Sequence, residues 1–323
     1  MIGRRLSSDS LPVLVGLAAA CVFLVIGCLS SGIFAQQTVA GLAQGVVYGS
    51  LALALVLIYR ATEVINFAQG EMAMATTYIA YQLMLWGLSY WAAFFLTLAI
   101  AFVFGVVVQV TVIRPIQHSV IAVVIVTIGL FVLIDGLVTW KFGADLKFMQ
   151  SPFGGRVYHV GDVTFARQDL GTLIVSIGSV LLLWVLFQFT KVGLAMRAAA
   201  LRPAAASLVG VRVKGMLAIG WGLAAMLGAI AGLMTEPTQY VLQPTMMQAV
   251  LLYAFAAAVL GGLESPAGAV IGGLLLGVFL NLIGQYVGFA TSELRLPIAF
   301  AVLLGVLLLK PTGLFGHKKV RRV

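Results

Sequence analysis

Four polar side chains lie within nine residues of one another in the stretch EVINFAQGEMAM, residues 63–74. Glu63 and Glu71 flank it, and carboxylates favour helix N-termini, so both are expected at helix ends. Asn66 and Gln69 are three residues apart and share a face if the chain is helical there. They either form an interhelical hydrogen bond, worth about 1 kcal/mol, or contact a solute where a broken helix lines a path through a membrane.

The chain around this stretch is too apolar for a water-soluble protein. Of its 323 residues, 62% are hydrophobic and 9% are charged, whereas soluble domains carry about 25% charged residues. A membrane span needs about 20 mostly apolar residues. The sequence therefore predicts one all-α, polytopic membrane domain over residues 1–323, with about ten transmembrane helices and eight to ten possible. The helices are expected near 11–30, 40–59, 70–88, 91–112, 119–140, 171–190, 215–234, 246–262, 266–288 and 296–310.

Two of these assignments have alternatives. The run after Arg4 and Arg5 also resembles a bacterial lipoprotein signal ending at Cys28. Its apolar stretch is longer than the roughly 7–15 residues of a signal core, which favours a first span. Residues 246–262 and 266–288 form either two spans or one re-entrant element and one span, because the connection between them is very short.

The distribution of basic residues predicts the topology. Ten helices with both termini in the cytoplasm place fourteen of the nineteen Lys and Arg residues inside, in agreement with the positive-inside rule. Residues 141–170 are then external, and Gly161-Asp162 within RVYHVGDVTFAR is expected to turn a small hairpin. The external basic residues are Lys141, Lys147, Arg156, Arg167 and Arg295.

The cytoplasmic segment 191–214 carries five basic residues and no acid. Pro203 suits the first turn of a short helix, and Gly210 is well placed to end it. Such a segment is a solvated loop, an amphipathic helix on anionic lipid, or a docking element for a cytoplasmic partner.

Isolated acids and glycines complete the candidate residues. Asp135 is expected at the outer interface, and Glu236, beside Pro237, in a loop after its helix. Small-xxx-small faces let helices approach closely, either as static packing, as a sliding surface or as the face that meets a second membrane subunit. The glycines assigned to such packing are Gly261, Gly262, Gly268, Gly272, Gly273 and Gly277.

No pattern in the sequence indicates catalysis. A phosphate-binding loop, a zinc-binding helix motif and a nucleophile elbow are all missing from the sequence, as is any Cys/His cluster with metal spacing. The chain is therefore predicted not to be an enzyme and to hold no cofactor or metal. If ATP drives transport, another chain must hydrolyse it.

Five motifs resemble the permease subunit of the branched-chain amino acid ABC importers. They are YRATEVINFAQGEMAM, IRPIQHS, GLAMRAAALRPAAASLVGVRV, AFAAAVLGGLESPAGAVIGGLLLGV and KPTGLFG, in the family's order, from about residue 41 to 316. The resemblance implies a multi-pass protein of the bacterial inner membrane. Its implied partners are a homologous second permease, two cytoplasmic ATPase subunits that bind ATP with Mg²⁺, and an external substrate-binding protein.

The resemblance also implies roles for particular residues. It makes the segment at 193–211 the region that docks on the ATPase, through Arg197, Arg202, Pro203, Ser207 and Gly210. It favours a translocation path through Asn66, Gln69, Glu63, Glu71 and Tyr253. The external segment would help to receive the binding protein.

Three departures from the family pattern affect the expected cargo. Gln69 replaces a histidine that is common in relatives, Tyr253 replaces a frequent lysine, and Glu264 stands where glycine is usual. The default cargo is a branched-chain amino acid, and the alternatives are urea, short amides or another amino acid. A stand-alone secondary transporter or channel is the alternative of a different class, and its signature would be acids or histidines at mid-helix.

Overall fold

The fold is known from a computed structural model, which describes residues 31–160, 163–239, 241–288, 290 and 293–316, with residues 22 and 24–27 before them. The predicted all-α architecture is confirmed, since nearly every described element is a helix. The elements are α1 Gly32–Thr62, α2 Gln69–Leu85, α3 Tyr90–Val108, α4 Val120–Phe142, β1 Val157–Val160, β2 Val163–Ala166, α5 Arg167–Phe189, α6 Lys191–Leu201, α7 Pro203–Leu208, α8 Val213–Gln239, α9 Met246–Gly261, α10 Pro266–Tyr286 and α11 Arg295–Leu309. A π-helical turn, Gln109–Ile113, extends α3 into the short helix Arg114–Ile116.

Six described helices are long and apolar enough to cross a membrane: α1, α3 with its extension, α4, α5, α8 and α10. Helices α9 and α11 are apolar but have only 16 and 15 residues. Helix α2 has 17 residues, about 25 Å at 1.5 Å per residue. Nine of the ten predicted positions thus contain a helix, while the predicted span at 11–30 lies mostly outside the described residues.

Helices α1 and α10 pack antiparallel in close backbone contact. Gly41, Gly45 and Gly49 recur every fourth residue along α1, and each faces the backbone of α10. A Cβ atom at Gly273 or Gly277 of α10 would lie 2.3 Å from a backbone atom of Gly49 or Gly45. Only glycine permits such contact, so this pair of helices is held by backbone-to-backbone packing.

The segment 141–170, predicted to be external, contains the expected hairpin. Strands β1 and β2 pair antiparallel, with Val157 opposite Ala166 and Val160 opposite Val163. Residues 161 and 162, which connect the strands, lie outside the described residues. A backbone bridge between Lys147 and Leu242 ties the start of this segment to the chain before α9.

Candidate translocation and coupling sites

The polar stretch at 63–74 contains the break between helices α1 and α2. Helix α1 ends at Thr62, and its C-cap residue Glu63 adopts a left-handed conformation with φ 56°. The chain is irregular from there until α2 begins at Gln69. Non-helical backbone at membrane depth is tolerated where protein buries it or a water-filled cavity adjoins it. Asn66 is 1% exposed and Gln69 is 0% exposed, so protein buries these two polar side chains, whereas Glu63 and Phe67 of the same segment are exposed.

Asn66 and Gln69 bond to each other and to a distant helix. Asn66 Nδ2 donates to Gln69 Oε1 at 3.2 Å, and Asn66 Oδ1 accepts from the Ala68 N–H at 3.1 Å. Gln69 Nε2 donates to the carbonyl of Ala224, in the middle of α8, at 2.9 Å. Gly228 leaves room for this contact, because a Cβ there would lie 2.8 Å from Gln69 Nε2. The interhelical hydrogen bond is therefore present, and contact with cargo stays a prediction.

Gln69→Leu is expected to destabilise the folded protein by about 1–3 kcal/mol. The substitution keeps the bulk of the side chain but removes the hydrogen-bond partner of a buried Asn66 amide. A lower melting temperature of the purified protein in detergent would measure the effect. Gln82→Leu, on the same helix but only half-buried, is the matched control. Equal melting temperatures for the two variants would contradict the structural role of Gln69.

Glu71 is a fully buried carboxylate in the first turn of α2. It lies beside Gln248 of α9 and near Asp135 of α4. Among the described residues, no donor is placed for a well-formed hydrogen bond to either of its carboxylate oxygens. The expected helix-end position is confirmed for Glu71, and the helix dipole favours its charge there. Asp135 is half-buried near Glu71, one of its oxygens is buried, and seven residues of α4 follow it; its expected position at the outer interface stays a prediction.

Glu236 is not a loop residue, which corrects the sequence-based expectation. Helix α8 continues through Pro237 to Gln239. Glu236 is 1% exposed, and its Oε1 accepts from the Met149 N–H of the segment 141–170 at 2.9 Å. Pro237 has no N–H to donate to the Leu233 carbonyl four residues earlier. The Tyr90 hydroxyl donates to that carbonyl at 3.3 Å instead, so the helix continues past its proline.

Tyr253 lies on α9 with its ring against Tyr48 of α1. The ring centroids are 5.0 Å apart at an interplanar angle of 32°. Both side chains are half-buried. The sequence indicated Tyr253 through its departure from the family pattern, but it gave no sign of the Tyr48 partner.

The basic segment 191–214 contains two short helices, α6 and α7. Thr190 caps α6 by accepting from the Gly193 N–H at 3.0 Å. Helix α7 begins at Pro203 and ends at Leu208, followed by Gly210 with φ 84°. The Val211 and Gly210 N–H groups bond back to Ala206 and Ser207. The predicted proline start and glycine stop are thus confirmed.

The basic residues of this segment point in different directions. Arg202 is exposed between α6 and α7. Arg197 instead donates from Nη1 to Gln188 Oε1 of α5 at 3.4 Å. It lines an otherwise mostly apolar cavity of about 760 Å³ with Arg60 and Gln188. The structure therefore does not bring Arg197 and Arg202 onto one surface. The Ser207 hydroxyl is exposed and bonds to the Ala204 carbonyl.

Of the glycines predicted to pack helices, Gly273 and Gly277 face α1, and the other four lie between α9, α10 and the C-terminal segment. A Cβ at Gly268 or Gly272 would be 2.4 Å from the carbonyl oxygen of Gly261 or Ala257. Gly262 has φ 102° and faces Gly316. The Leu314 and Phe315 N–H groups donate to the Leu260 and Gly261 carbonyls at 2.8 and 3.0 Å. The KPTGLFG motif thereby satisfies backbone groups that the end of α9 leaves without helical partners.

Comparison with known proteins gives a consistent result. A family model described as "Branched-chain amino acid transport system / permease component" matches residues 37–309. The high-affinity branched-chain amino acid transport system permease protein LivH of Salmonella typhimurium is 30% identical over 305 residues, covering 90% of this chain and 98% of that protein. The corresponding permease BraD of Pseudomonas aeruginosa is 28% identical over 310 residues, with the same coverage. A solved structure of PsaBC from Streptococcus pneumoniae with a Fab covers 90% of this chain at a TM-score of 0.45 and 14% identity.

Proposed function

This chain belongs to the family of branched-chain amino acid transport system permease components and is a membrane permease; we propose that it forms half of the translocation path of an ATP-driven importer. The proposed cargo is a branched-chain amino acid or a similar small polar solute. The proposed location is the bacterial inner membrane. The proposed complex contains a homologous second permease, two cytoplasmic ATPase subunits and an external substrate-binding protein.

The observation that carries the proposal is the exposed apolar end of α7. Leu208 is 88% exposed and Val209 is 79% exposed, and Leu201 at the end of α6 is 73% exposed. Arg202 lies between them and is also exposed. A hydrophobic, basic projection outside the transmembrane bundle suits a groove on a partner protein. We assign this surface, Leu201, Arg202, Leu208 and Val209, to ATPase docking and call it the docking end.

The docking end is mechanically connected to the transmembrane helices. Gly193 packs on α5, where a Cβ would lie 2.3 Å from the Leu186 carbonyl oxygen. Met196 of α6 is buried, and its Cε would be 3.6 Å from a Cβ at Gly220 of α8. Movement of α6 and α7 by an ATPase would therefore reach α5 and α8 directly, and Gln69 contacts α8 in turn.

One observation favours the alternative of a secondary transporter. Glu71 is fully buried near Asp135, and intramembrane carboxylates are typical of proteins that move ions or protons. An ion-driven transporter would need neither an ATPase nor the docking end. The importer therefore needs ATP for uptake, whereas uptake by a secondary transporter should not depend on ATP.

Reconstitution of the complete complex tests the function. Proteoliposomes with the permease pair, ATPase subunits and binding protein should accumulate radiolabelled leucine, isoleucine or valine at least about tenfold faster with ATP than with a non-hydrolysable analogue. Urea and acetamide in place of the amino acid distinguish the alternative cargoes. Uptake by the permease alone, driven by an imposed proton or sodium gradient and indifferent to ATP, would overturn the importer.

A further inference from the structure

A polar surface that the family match does not explain lies between α1, α9, α10 and α11. Tyr48 and Tyr253 face each other across α1 and α9. Asn281 of α10 donates from Nδ2 to Gln44 Oε1 of α1 at 2.9 Å. Arg295, the first residue of α11, lies near both tyrosines and interacts with them electrostatically. We call Gln44, Tyr48, Tyr253, Asn281 and Arg295 the outer polar cluster.

The guanidinium of Arg295 is held against the backbone of α10. A Cβ at Gly284 would be 2.9 Å from Arg295 Nη2 and 3.2 Å from its Nε, so glycine makes room for the group. Arg295 Nε is buried and has no hydrogen-bond partner among the described residues. The cluster thus contains a cation with an unused buried donor, Nε.

A cation in this position calls for an anion. A charged group within an apolar bundle is costly unless it is paired or faces a water-filled cavity. A planar guanidinium with several N–H donors suits a carboxylate, which it binds through two parallel hydrogen bonds. The two tyrosines add hydroxyl donors and apolar ring faces. Gln44, Tyr48, Tyr253 and Arg295 are all half-buried, so each keeps part of its surface accessible.

We propose that Arg295, together with Tyr48 and Tyr253, binds the carboxylate of an amino acid cargo in the outer half of the path. The inference rests on the proposed import function and adds the chemical group that is recognised. A lipid phosphate presents similar anionic chemistry at the membrane edge, and the experiment must separate the two. Tyr253 then contributes to cargo binding alongside a positive charge supplied by α11.

Photo-crosslinking of the assembled transporter tests the site. The substrate-binding protein is left out, so that its selectivity does not determine the labelling. The probe is photo-leucine, a diazirine analogue that keeps the amino and carboxyl groups, at millimolar concentration in nanodiscs. Adducts are expected on peptides containing Tyr48 or Tyr253. Excess leucine should suppress them, and leucinamide, which lacks the carboxylate, should compete at least about tenfold less well.

Variants separate cargo recognition from structure. Arg295→Gln should lower labelling and leucine uptake at least about tenfold, because a charge-assisted contact is lost. Arg295→Lys should retain part of both, and Glu293→Gln, exposed two residues away, should match the wild type. Equal competition by leucinamide, or unchanged labelling in Arg295→Gln, overturns the proposal.

Two further results have distinct meanings. One possible result is that photo-leucine labels the Arg295→Gln variant as strongly as the wild type while the variant melts at a lower temperature in anionic nanodiscs only. That result would show that Arg295 binds lipid, and the proposal would be wrong. If wild-type transporter neither takes up branched-chain amino acids with ATP nor is labelled by photo-leucine, the import function fails together with this site. Normal ATP-driven uptake with labelling independent of Arg295 refutes the site alone.

Discussion

Replacing Leu208 and Val209 by Asp should reduce ATP-driven uptake at least about tenfold while the permease still inserts and folds. Both side chains are among the most exposed in the chain, at 88% and 79%, so their loss removes little internal packing. Burying such side chains in a partner's groove contributes about 1.5–3 kcal/mol each. A carboxylate placed in that groove also loses its hydration. Both effects act on docking and leave the bundle intact.

The measurements are ATPase co-purification and uptake in proteoliposomes. Leu208→Met keeps an apolar side chain and is expected to behave as the wild type, which makes it the matched control. Arg202→Glu should also weaken docking, most strongly at low salt. Arg197→Glu should instead act by removing the contacts that Arg197 makes with Gln188 and the adjoining cavity. Normal co-purification and uptake by the Leu208→Asp, Val209→Asp variant would show that α7 is not the ATPase contact.

Local chemistry was sufficient to predict the elements that depend on neighbouring residues alone. Pro203 and Gly210 defined α7, because a proline is tolerated in the first helical turn and a glycine readily adopts φ > 0. Gly161-Asp162 between β-rich runs predicted the hairpin by the same reasoning. The apolar runs predicted nine helix positions because hydrocarbon thickness fixes the length of a span.

Contacts between distant segments could not be predicted from one sequence. The Gln69 contact with Ala224 joins residues 155 positions apart, and no local pattern indicates which carbonyl a buried amide will reach. Pro237 was misleading for a related reason, because Tyr90 supplies the hydrogen bond that the proline cannot make. Glu236 therefore stays inside a helix that the local rule ends too early.

The glycines show where sequence information was present but ambiguous. Gly273-x-x-x-Gly277 marked a close helix contact, and Gly41, Gly45 and Gly49 carried the same spacing on α1. The pattern shows that the residues on one helix face are small, but it does not identify the helix that packs against that face. In this chain α10 uses one glycine face for α1 and another, Gly268 and Gly272, for α9.

Gly273→Leu should prevent the protein from folding, with a fall of at least about tenfold in the yield of monodisperse protein from membranes. A Cβ at residue 273 would lie 2.3 Å from Gly49 N and 2.4 Å from Gly49 Cα. Overpacking among side chains costs about 1–3 kcal/mol, but these neighbours are backbone atoms that cannot rotate away. The helices must therefore separate, and the Asn281 contact with Gln44 should be lost with them.

The control for this prediction is Gly129→Leu on α4, where a Cβ would meet no atom within 4 Å beyond its chain neighbours and its own helix backbone, and the glycine is exposed. It should keep wild-type yield, because leucine is a better helix former than glycine. Fluorescence-detected size-exclusion chromatography of both variants measures the difference, and Gly273→Ala should fall between them. If Gly273→Leu matched Gly129→Leu in yield and melting temperature, α1 and α10 would not be in backbone contact in the folded protein. The placement of Gln44 and Tyr48 beside α10 and α9 depends on that contact, so the outer polar cluster would then need a different geometry.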